Sequence, residues 1–218
     1  MSGIKKFVFN PFQVNTYILY DDSKACVIID PGCSDGVELL QLMDFIKEEG
    51  LKPVHVLLTH THIDHVIGCN AVEEATGLGP ELHEAGMVFL DHSTDTAANY
   101  GFSLEKNPEA KGFINEGDLI TFGNSRLEVL YTPGHADGSV CFLNRNEGYV
   151  IAGDVLFQMS IGRTDFPTGS FDVLKKSIFE KLFVLPDDTV VYSGHGPETS
   201  IGFEKANNPF LMDDNAMY

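Results

Sequence analysis

The chain has 218 residues, 43% of them hydrophobic and 21% charged, which excludes a disordered or fibrous protein and fits one globular domain over residues 1–218. Its formal net charge of −18 argues against nucleic acid or an anionic membrane as a partner, because like charges repel. Most of the excess carboxylates are therefore expected on a solvated surface.

The first twelve residues and the four cysteines indicate the compartment. The start, MSGIKKFVFNPF, has no apolar run long enough for the core of a signal peptide, and no later run approaches the length of a membrane span. Cys26, Cys33, Cys69 and Cys141 form no C-x-x-C pair, so they predict neither a disulfide framework nor a thiolate zinc site. We expect a cytoplasmic protein with reduced, partly buried thiols.

The first half of the chain predicts strands followed by amphipathic helices. Three short runs of β-type residues predict an antiparallel meander that ends at the turn Asp30-Pro31-Gly32. Apolar residues at helical spacing then run up to Gly50. The predicted strands lie at 4–10, 15–20, 25–29 and 54–59, and the predicted helices at 35–49 and from residue 64 to about residue 77. Residues 84–112 predict a partly helical insert or lid.

Strands dominate the second half of the chain. They are predicted at 118–122, 126–131, 140–144, 149–152 and 189–192, with one helix at 171–183. No internal repeat, low-complexity tract or flexible linker divides the sequence. Two groups of strands that are separated and flanked by helices predict stacked sheets covered on both outer faces.

Residues that commonly bind metals follow four of the predicted strands. His60, His135, Asp154 and His195 each come shortly after the end of an apolar run. In α/β sheets the loops at the strand carboxyl ends converge, while the strands behind them keep the site rigid. These four positions therefore predict one shared site at one sheet edge.

Residues 60–65 are the densest part of this pattern, with four ligand-type side chains among six residues. Four such side chains crowd a single tetrahedral ion, so we expect two ions. Imidazole and carboxylate ligands without thiolate favour two divalent ions, zinc first, with iron or manganese as alternatives. Asp64 and Asp154 are the predicted catalytic carboxylates. The predicted ligands are His60, His62 and His135 for one ion, Asp64, His65 and His195 for the other, and Asp154 as the bridge.

Some polar residues near this pattern admit another interpretation. The Asp64 carboxylate could instead cap the following helix. Asp30 and Thr59 could hold ligating imidazoles from behind, because such imidazoles commonly donate their second N–H to a carboxylate or carbonyl. Three histidines outside the pattern are expected to be ordinary polar residues, namely His55, His83 and His92.

Two further pairs also have two interpretations. Arg163 and Asp165 predict either a pair beside the metal site or a salt bridge that only braces a loop. Tyr100 and Phe102 predict either a lid over the site or a packed aromatic pair, and we favour the packed pair. None of these four residues is needed to hold the ions.

Residues 59–65 read T-H-T-H-I-D-H, and this segment is flanked by shorter motifs in a recognisable order. With these residues the chain resembles the metallo-β-lactamase superfamily over nearly its whole length, because T-H-x-H-x-D-H after a strand is the hallmark of that superfamily. The resemblance implies a four-layer αββα sandwich, in which two mixed sheets are flanked by helices and a dimetal site lies in a groove. The shorter motifs are Asp30-Pro31-Gly32, Pro133-Gly134-His135, Gly153-Asp154 and Ser193-Gly194-His195-Gly196-Pro197.

Three more segments resemble glyoxalase II, in particular its short bacterial members that lack an added carboxyl-terminal helical domain. They are residues 161–167, residues 194–199 and residues 204–210, the last ending in Asn208-Pro209-Phe210. The resemblance implies hydrolysis of a small-molecule S-hydroxyacyl thioester such as S-lactoylglutathione by a hydroxide that bridges two metal ions. Longer members hold glutathione with the extra domain, and this chain ends at Tyr218 before such a domain could form, which puts glutathione recognition in doubt.

An alternative of another class is a persulfide dioxygenase, which shares the fold and a Gly-Arg-Thr-Asp-Phe segment. Its single iron would use His60, His135 and Asp154 as a two-histidine, one-carboxylate triad. We would not expect residues 194–199 or the Asn208-Pro209-Phe210 ending in such an enzyme, so this alternative is secondary. A non-enzymatic scaffold would instead show closed coordination saturated by protein ligands.

Other branches of the superfamily fit less well. Class B β-lactamases usually place a cysteine ligand between the last two histidines, whereas this chain has Gly153-Asp154 there and Cys141 inside a predicted strand. The nucleases carry a large inserted domain that needs more length and more positive charge. We therefore discount β-lactam and nucleic-acid hydrolysis.

Overall fold

Two six-stranded sheets face each other in the computed structural model, which describes residues 3–212. Apolar side chains from both sheets, among them Leu57, Phe122 and Phe142, form the core between them. Helices cover the outer face of each sheet, so the predicted four-layer αββα sandwich is confirmed. The predicted domain of residues 1–218 also includes residues 1–2 and 213–218, which lie outside the described residues.

The first sheet begins as a meander and continues with parallel strands. β1, β2 and β3 pair antiparallel, as predicted. β3 to β6 are parallel neighbours, so the carboxyl ends of β3 and β4 lie side by side. In spatial order the strands are β1 (Gly3–Phe9), β2 (Val14–Tyr20), β3 (Ala25–Ile29), β4 (Lys52–Leu57), β5 (Pro80–Leu82) and β6 (Gly112–Phe113).

The second sheet is also mixed. It contains β7 (Leu119–Phe122), β8 (Ser125–Tyr131), β9 (Val140–Asn144), β10 (Tyr149–Gly153), β13 (Val190–Ser193) and β14 (Thr199–Ser200). Their spatial order is β14-β13-β10-β9-β8-β7, with β10 and β13 parallel and the other neighbours antiparallel. A separate small hairpin consists of β11 (Leu156–Phe157) and β12 (Ser160–Ile161).

Seven α-helices complete the layers of the described chain. In α1 the Asp35 carboxylate caps the first turn by accepting from the N–H groups of Val37 and Glu38, and Leu42 and Ile46 pack on the first sheet. No helix within residues 3–212 is long and apolar enough to cross a membrane. The helices are α1 (Gly36–Glu48), α2 (Ile63–Val66), α3 (Cys69–Thr76), α4 (Met87–Leu90), α5 (Ser93–Asn99), α6 (Phe171–Ser177), which continues as a π-helical turn, and α7 (Ile201–Asn207).

The helix predicted from residue 64 to about residue 77 is wrong in one respect, because it is two helices. The chain breaks at Gly68, whose N–H donates to the Pro31 carbonyl, while the Asp64 carbonyl accepts from the Asn10 side chain instead. A side chain at Gly68 would also collide with Cys33, since an added Cβ lies 2.4 Å from its Sγ. The second helix ends, as predicted, at Gly77 in the left-handed region.

All four cysteines are free and buried in the structure, and they are buried more completely than predicted. Burial raises the pKa of the Cys26, Cys33 and Cys141 thiols to about 12. It also raises the pKa of Cys69 well above its ordinary value. At neutral pH these thiols are therefore protonated, and each sits inside an apolar layer or beneath the site loops.

A buried carboxylate anchors α7 to the rest of the fold. The Glu204 side chain is fully buried and accepts hydrogen bonds from the Met159 N–H, the Asn208 side-chain amide and the Thr199 hydroxyl. Asn208 also donates to the Ser160 carbonyl. Because a buried carboxylate without a cation needs such donors, this network fixes the β11–β12 hairpin and the segment after His195 against α7.

We expect Glu204→Ala to lower the free energy of unfolding by about 2–4 kcal/mol, because three donors, one of them the buried Asn208 amide, lose their acceptor. Urea unfolding followed by circular dichroism measures the change. Glu180→Ala is the matched control, since its side chain is exposed and the expected change is within about 0.5 kcal/mol. Equal losses in the two variants would contradict this role for Glu204.

Candidate metal centre

All seven predicted ligand residues meet at one edge of the two sheets. His60 follows β4, and Asp64 and His65 lie on α2, which begins just after it. The other ligand residues from the second sheet follow β8, β10 and β13. Their donor atoms form three overlapping groups, each within 4.8 Å, made of His60, His62 and His135; of His60, His65 and Asp154; and of Asp64, His65 and His195.

The first group contains only imidazoles. The rings of His60, His62 and His135 lie at nearly right angles, with centroids 4.6 to 4.9 Å apart. His135 Nε2 lies 2.9 Å from His62 Nδ1. Two unprotonated ring nitrogens repel each other at this distance, so the arrangement requires a shared proton or a cation between them.

The group of Asp64, His65 and His195, called the second group from here on, combines a carboxylate with two imidazoles. Asp64 Oδ2 lies 3.1 Å from His195 Nε2 and 3.6 Å from His65 Nε2. Ligands at about 2.0–2.2 Å from a tetrahedral ion are about 3.3–3.6 Å from one another. The Asp64 side chain caps no helix, because His62 holds the N-cap position of α2. The alternative role as a helix cap is therefore wrong.

Asp154 lies between the two groups. Its Oδ2 atom is 3.6 Å from His135 Nε2 and 3.6 Å from His195 Nε2. Its Oδ1 atom is 3.4 Å from His65 Nε2. One carboxylate thus reaches an imidazole of the first group and both imidazoles of the second, which is the geometry of a bridging ligand.

The imidazoles are oriented from behind. His65 donates its Nδ1–H to Asp30 at 2.9 Å, and His135 donates its Nδ1–H to the Arg163 carbonyl at 2.7 Å. The Nε2 atoms of both rings are thereby free to face the centre. Asp30, proposed from the sequence for this role, is therefore confirmed as a partner of a site histidine.

His60 and His195 are also oriented by contacts at their Nδ1 atoms. His60 Nδ1 lies 3.2 Å from the Thr59 hydroxyl, which itself donates to the Asp30 carboxylate. His195 Nδ1 lies 3.2 Å from the Gln13 carbonyl. Thr59 is thus also placed as the sequence predicted, whereas Gln13 was not predicted.

Several buried polar atoms of this centre have no hydrogen-bond partner in the described part of the protein. Five buried side-chain atoms within residues 3–212 have no hydrogen-bond partner, and three of them are His60 Nε2, His65 Nε2 and Asp154 Oδ1. Burying such atoms without a partner costs about 1–3 kcal/mol each. Cations at the centre would satisfy all three, so the donor set fits two divalent ions.

Burial and mutual repulsion keep His60 and His62 neutral. Burial, followed by the surrounding imidazoles, holds the pKa of His60 well below its ordinary value. Burial and the neighbouring His135 lower the pKa of His62 to about 4. A neutral imidazole is the form that binds a metal, so both side chains are ready to act as ligands at neutral pH.

The second group is more strongly charged. Burial favours the neutral carboxyl, but the imidazoles of His65 and His195 outweigh it and hold the pKa of Asp64 and Asp154 below the ordinary value. Burial likewise favours a neutral His65, but Asp64, Asp154 and Asp30 raise its pKa well above the ordinary value. The carboxylates are ionised and attract positive charge, which bound cations supply without a proton.

The turn between β1 and β2 also contributes to the centre, and the sequence did not predict this. The Asn10 side-chain amide donates to the carbonyls of Gly32 and Asp64, while the Gln13 carbonyl faces His195. Asn10 and Gln13 both have positive φ angles, 53° and 59°. The Asn10-Pro11 pair was a turn signal, but nothing in it indicated contact with residues more than 50 positions away.

A groove of about 640 Å³ opens beside the centre. Tyr100 lines it, but Tyr100 and Phe102 do not form the predicted pair. Both rings pack on Phe12 instead, with centroids 5.3 and 5.8 Å away. Arg163 and Asp165 form the predicted salt bridge through two hydrogen bonds, and Arg163 also lines the groove.

The three histidines that we expected to be ordinary polar residues lie outside the candidate metal groups. His55 Nδ1 lies 2.6 Å from Glu81, which raises its pKa despite partial burial. His83 stacks on Tyr131 with a centroid distance of 4.3 Å. His92 lies at the N-cap position of α5.

The family model described as the metallo-β-lactamase superfamily matches residues 9–195. The chain belongs to the metallo-β-lactamase superfamily. Among its metallo-hydrolase relatives, the probable metallo-hydrolase YqgX of Bacillus subtilis is 39% identical over 208 residues, which are 95% of this chain and 96% of that protein. Hydroxyacylglutathione hydrolase GloC of Haemophilus influenzae is 36% identical over 204 residues, 92% of this chain and 93% of that protein.

Solved structures of superfamily members agree with this assignment. The B3 metallo-β-lactamase BLEG-1 has a TM-score of 0.87 at 37% identity, covering 97% of this chain and all of its own. The protein TTHA1623, solved in a di-iron-bound form, has a TM-score of 0.85 at 34% identity, covering 95% of this chain and all of its own. ETHE1 from Myxococcus xanthus has a TM-score of 0.77 at 29% identity, covering 95% of this chain and 83% of its own.

Gly194 allows the strand that precedes His195 to approach the bridging carboxylate. A Cβ added there would lie 2.1 Å from Asp154 Oδ1 and 2.9 Å from the His65 ring. We expect Gly194→Ala to displace Asp154 and to reduce the bound metal, measured by elemental analysis of the purified protein, by at least half.

The matched control for this substitution is Gly36→Ala at the start of α1, where an added Cβ meets no atom within 4 Å. Alanine is tolerated at this helix position, so metal content should stay unchanged. Wild-type metal content in Gly194→Ala would contradict the close packing inferred here.

Proposed function

We propose that this superfamily member is a dimetal hydrolase of the glyoxalase II type, which hydrolyses S-hydroxyacyl thioesters such as S-lactoylglutathione. The observation that carries the proposal is the pair of donor groups joined by Asp154, whose buried His60, His65 and Asp154 atoms lack partners. The likeness to hydroxyacylglutathione hydrolase GloC supports the thioester as substrate.

Two bound divalent ions would supply Lewis acidity and lower the pKa of a coordinated water to near neutrality. The residues of the chain determine where that chemistry occurs. Asp154 would hold the two ions at a working separation, and Asp64 would bind one ion together with His195, whose Nε2 atom lies 3.1 Å from its carboxylate. The groove would place the thioester carbonyl carbon beside the centre, where apolar walls reduce competing solvent.

The proposed reaction is a simple addition and elimination. Hydroxide adds to the carbonyl carbon, and the carbon–sulfur bond then breaks. The products are a hydroxy acid and a thiolate, which takes a proton from solvent. No oxidant or cofactor beyond the two ions is needed for this reaction.

The alternative dioxygenase would use His60, His135 and Asp154 around one iron. That assignment gives no role to the second group, in which Asp64, His65 and His195 face one another with the spacing of metal ligands. Two ions account for every ligand candidate, and one ion does not. The geometry therefore favours the hydrolase, in line with the neighbour that was solved in a di-iron-bound form.

We expect close to two metal ions per chain in the purified protein and thiol release from S-lactoylglutathione. Asp154→Ala should lower kcat/KM by at least about 100-fold, because loss of a ligand exceeds the 10- to 100-fold effect of losing an outer partner. Elemental analysis measures the metal content, and a colorimetric thiol assay measures kcat/KM. Asp188→Ala, an exposed position, is the control and should keep the wild-type values.

Two other outcomes would favour another function, and a third would contradict the role of Asp154. One iron per chain with oxygen uptake on glutathione persulfide, and no thioester hydrolysis, would favour the dioxygenase. Hydrolysis of nitrocefin without thioester hydrolysis would favour the activity named for BLEG-1. Full activity in Asp154→Ala would remove this carboxylate from the centre.

A further inference from the structure

Aromatic rings line the groove on the side of the first metal group. The ring centroid of Phe89 lies 4.9 Å from that of His62, and Phe166 lies 5.5 Å from the same imidazole. Both rings belong to the groove wall. A substrate whose carbonyl carbon reaches the centre therefore has apolar ring surface next to it.

The side of the second group is lined in the same way. Phe157 lies 6.2 Å from His195 by ring centroids, and Phe12 packs edge-on against Tyr100 at 5.3 Å. Ile63, Ile161 and Pro167 add aliphatic surface to the same groove. Apolar side chains therefore line the groove beside both metal groups.

Charge is scarce in this lining. Apart from the ligand candidates, one charged side chain lines the described groove, that of Arg163. Its guanidinium is already engaged, because it donates two hydrogen bonds to Asp165 at 2.9 and 2.8 Å. It also lies over the Phe166 ring, 4.1 Å from the centroid. The Asp165 carboxylate therefore offsets the positive charge that a substrate carboxylate would meet at Arg163.

We infer that the groove selects thioesters whose thiol portion carries no negative charge, and that its aromatic and aliphatic walls hold this portion by apolar contact. This inference rests on the proposed thioester hydrolysis. Aromatic rings bind apolar groups well, whereas a carboxylate that loses water without gaining a cation is penalised. The net charge of −18 adds a repulsion against anionic substrates. The two carboxylates of glutathione would therefore weaken binding.

The experiment compares three S-lactoyl thioesters with the metal-loaded full chain, each followed by thiol release. The first is S-lactoylglutathione, the second is its diethyl ester, in which both carboxylates are neutralised, and the third is the uncharged S-lactoyl-N-acetylcysteamine. We expect kcat/KM for the diethyl ester to exceed that for S-lactoylglutathione by about threefold or more at low ionic strength. The ratio should approach one as salt screens the repulsion.

Arg163→Gln tests the one cation in the groove. If Arg163 stays paired with Asp165, this variant should change the ratio of the two kcat/KM values by less than twofold. Lys176→Gln is the matched control, because it removes the same charge from an exposed residue of α6 outside the groove lining. Its ratio should equal that of the wild type.

Each result separates the inference from the proposed function. A kcat/KM for S-lactoylglutathione above that of its diethyl ester, lost in Arg163→Gln but kept in Lys176→Gln, would overturn the inference and leave the hydrolase intact. Failure of the metal-loaded protein to release thiol from any of the three thioesters would instead overturn the proposed function.

Discussion

The carboxylate of Asp30 ties the first sheet to the metal centre. β3 and β4 are parallel neighbours, so their carboxyl ends bring Asp30 next to Thr59, whose N–H and hydroxyl both donate to it. The same carboxylate accepts from His65. Asp30 has a φ of 50°, a conformation that is unfavourable for most residues and that tends to occur at functional sites. The position of Thr59 at the end of β4 and the orientation of the His65 imidazole both depend on this one buried group.

The second sheet is joined to this edge by backbone hydrogen bonds. The Val140 N–H donates to the Thr59 carbonyl at 2.8 Å, and the Asn15 N–H donates to the Gly194 carbonyl at 2.7 Å. Ligands from the two sheets are therefore held in one frame before any ion binds. Such preorganisation is what a catalytic metal centre requires, because the geometry of its ligands determines which positions stay open.

The sequence predicted which residues meet at the candidate metal centre, because they come just after clear apolar strands. It predicted the fold because the T-H-x-H-x-D-H motif resembles that of one superfamily. It did not predict β5, β6, β11, β12 or β14, since strands of two or three residues carry no periodicity. It also missed α7, although Ser200 caps it. The contacts of Asn10 and Gln13 with the centre arise only when distant segments pack together, and no local pattern records them.

The burial of the four cysteines has a consequence for the proposed hydrolysis of thioesters, which would release thiols. Thiol–disulfide exchange and acyl capture both begin with a thiolate at the protein surface. Here burial raises the thiol pKa to about 12 at Cys26, Cys33 and Cys141 and leaves no cysteine side chain exposed. A departing thiol would meet no exposed cysteine thiolate on the folded chain. Product release would therefore not modify the protein covalently from one turnover to the next.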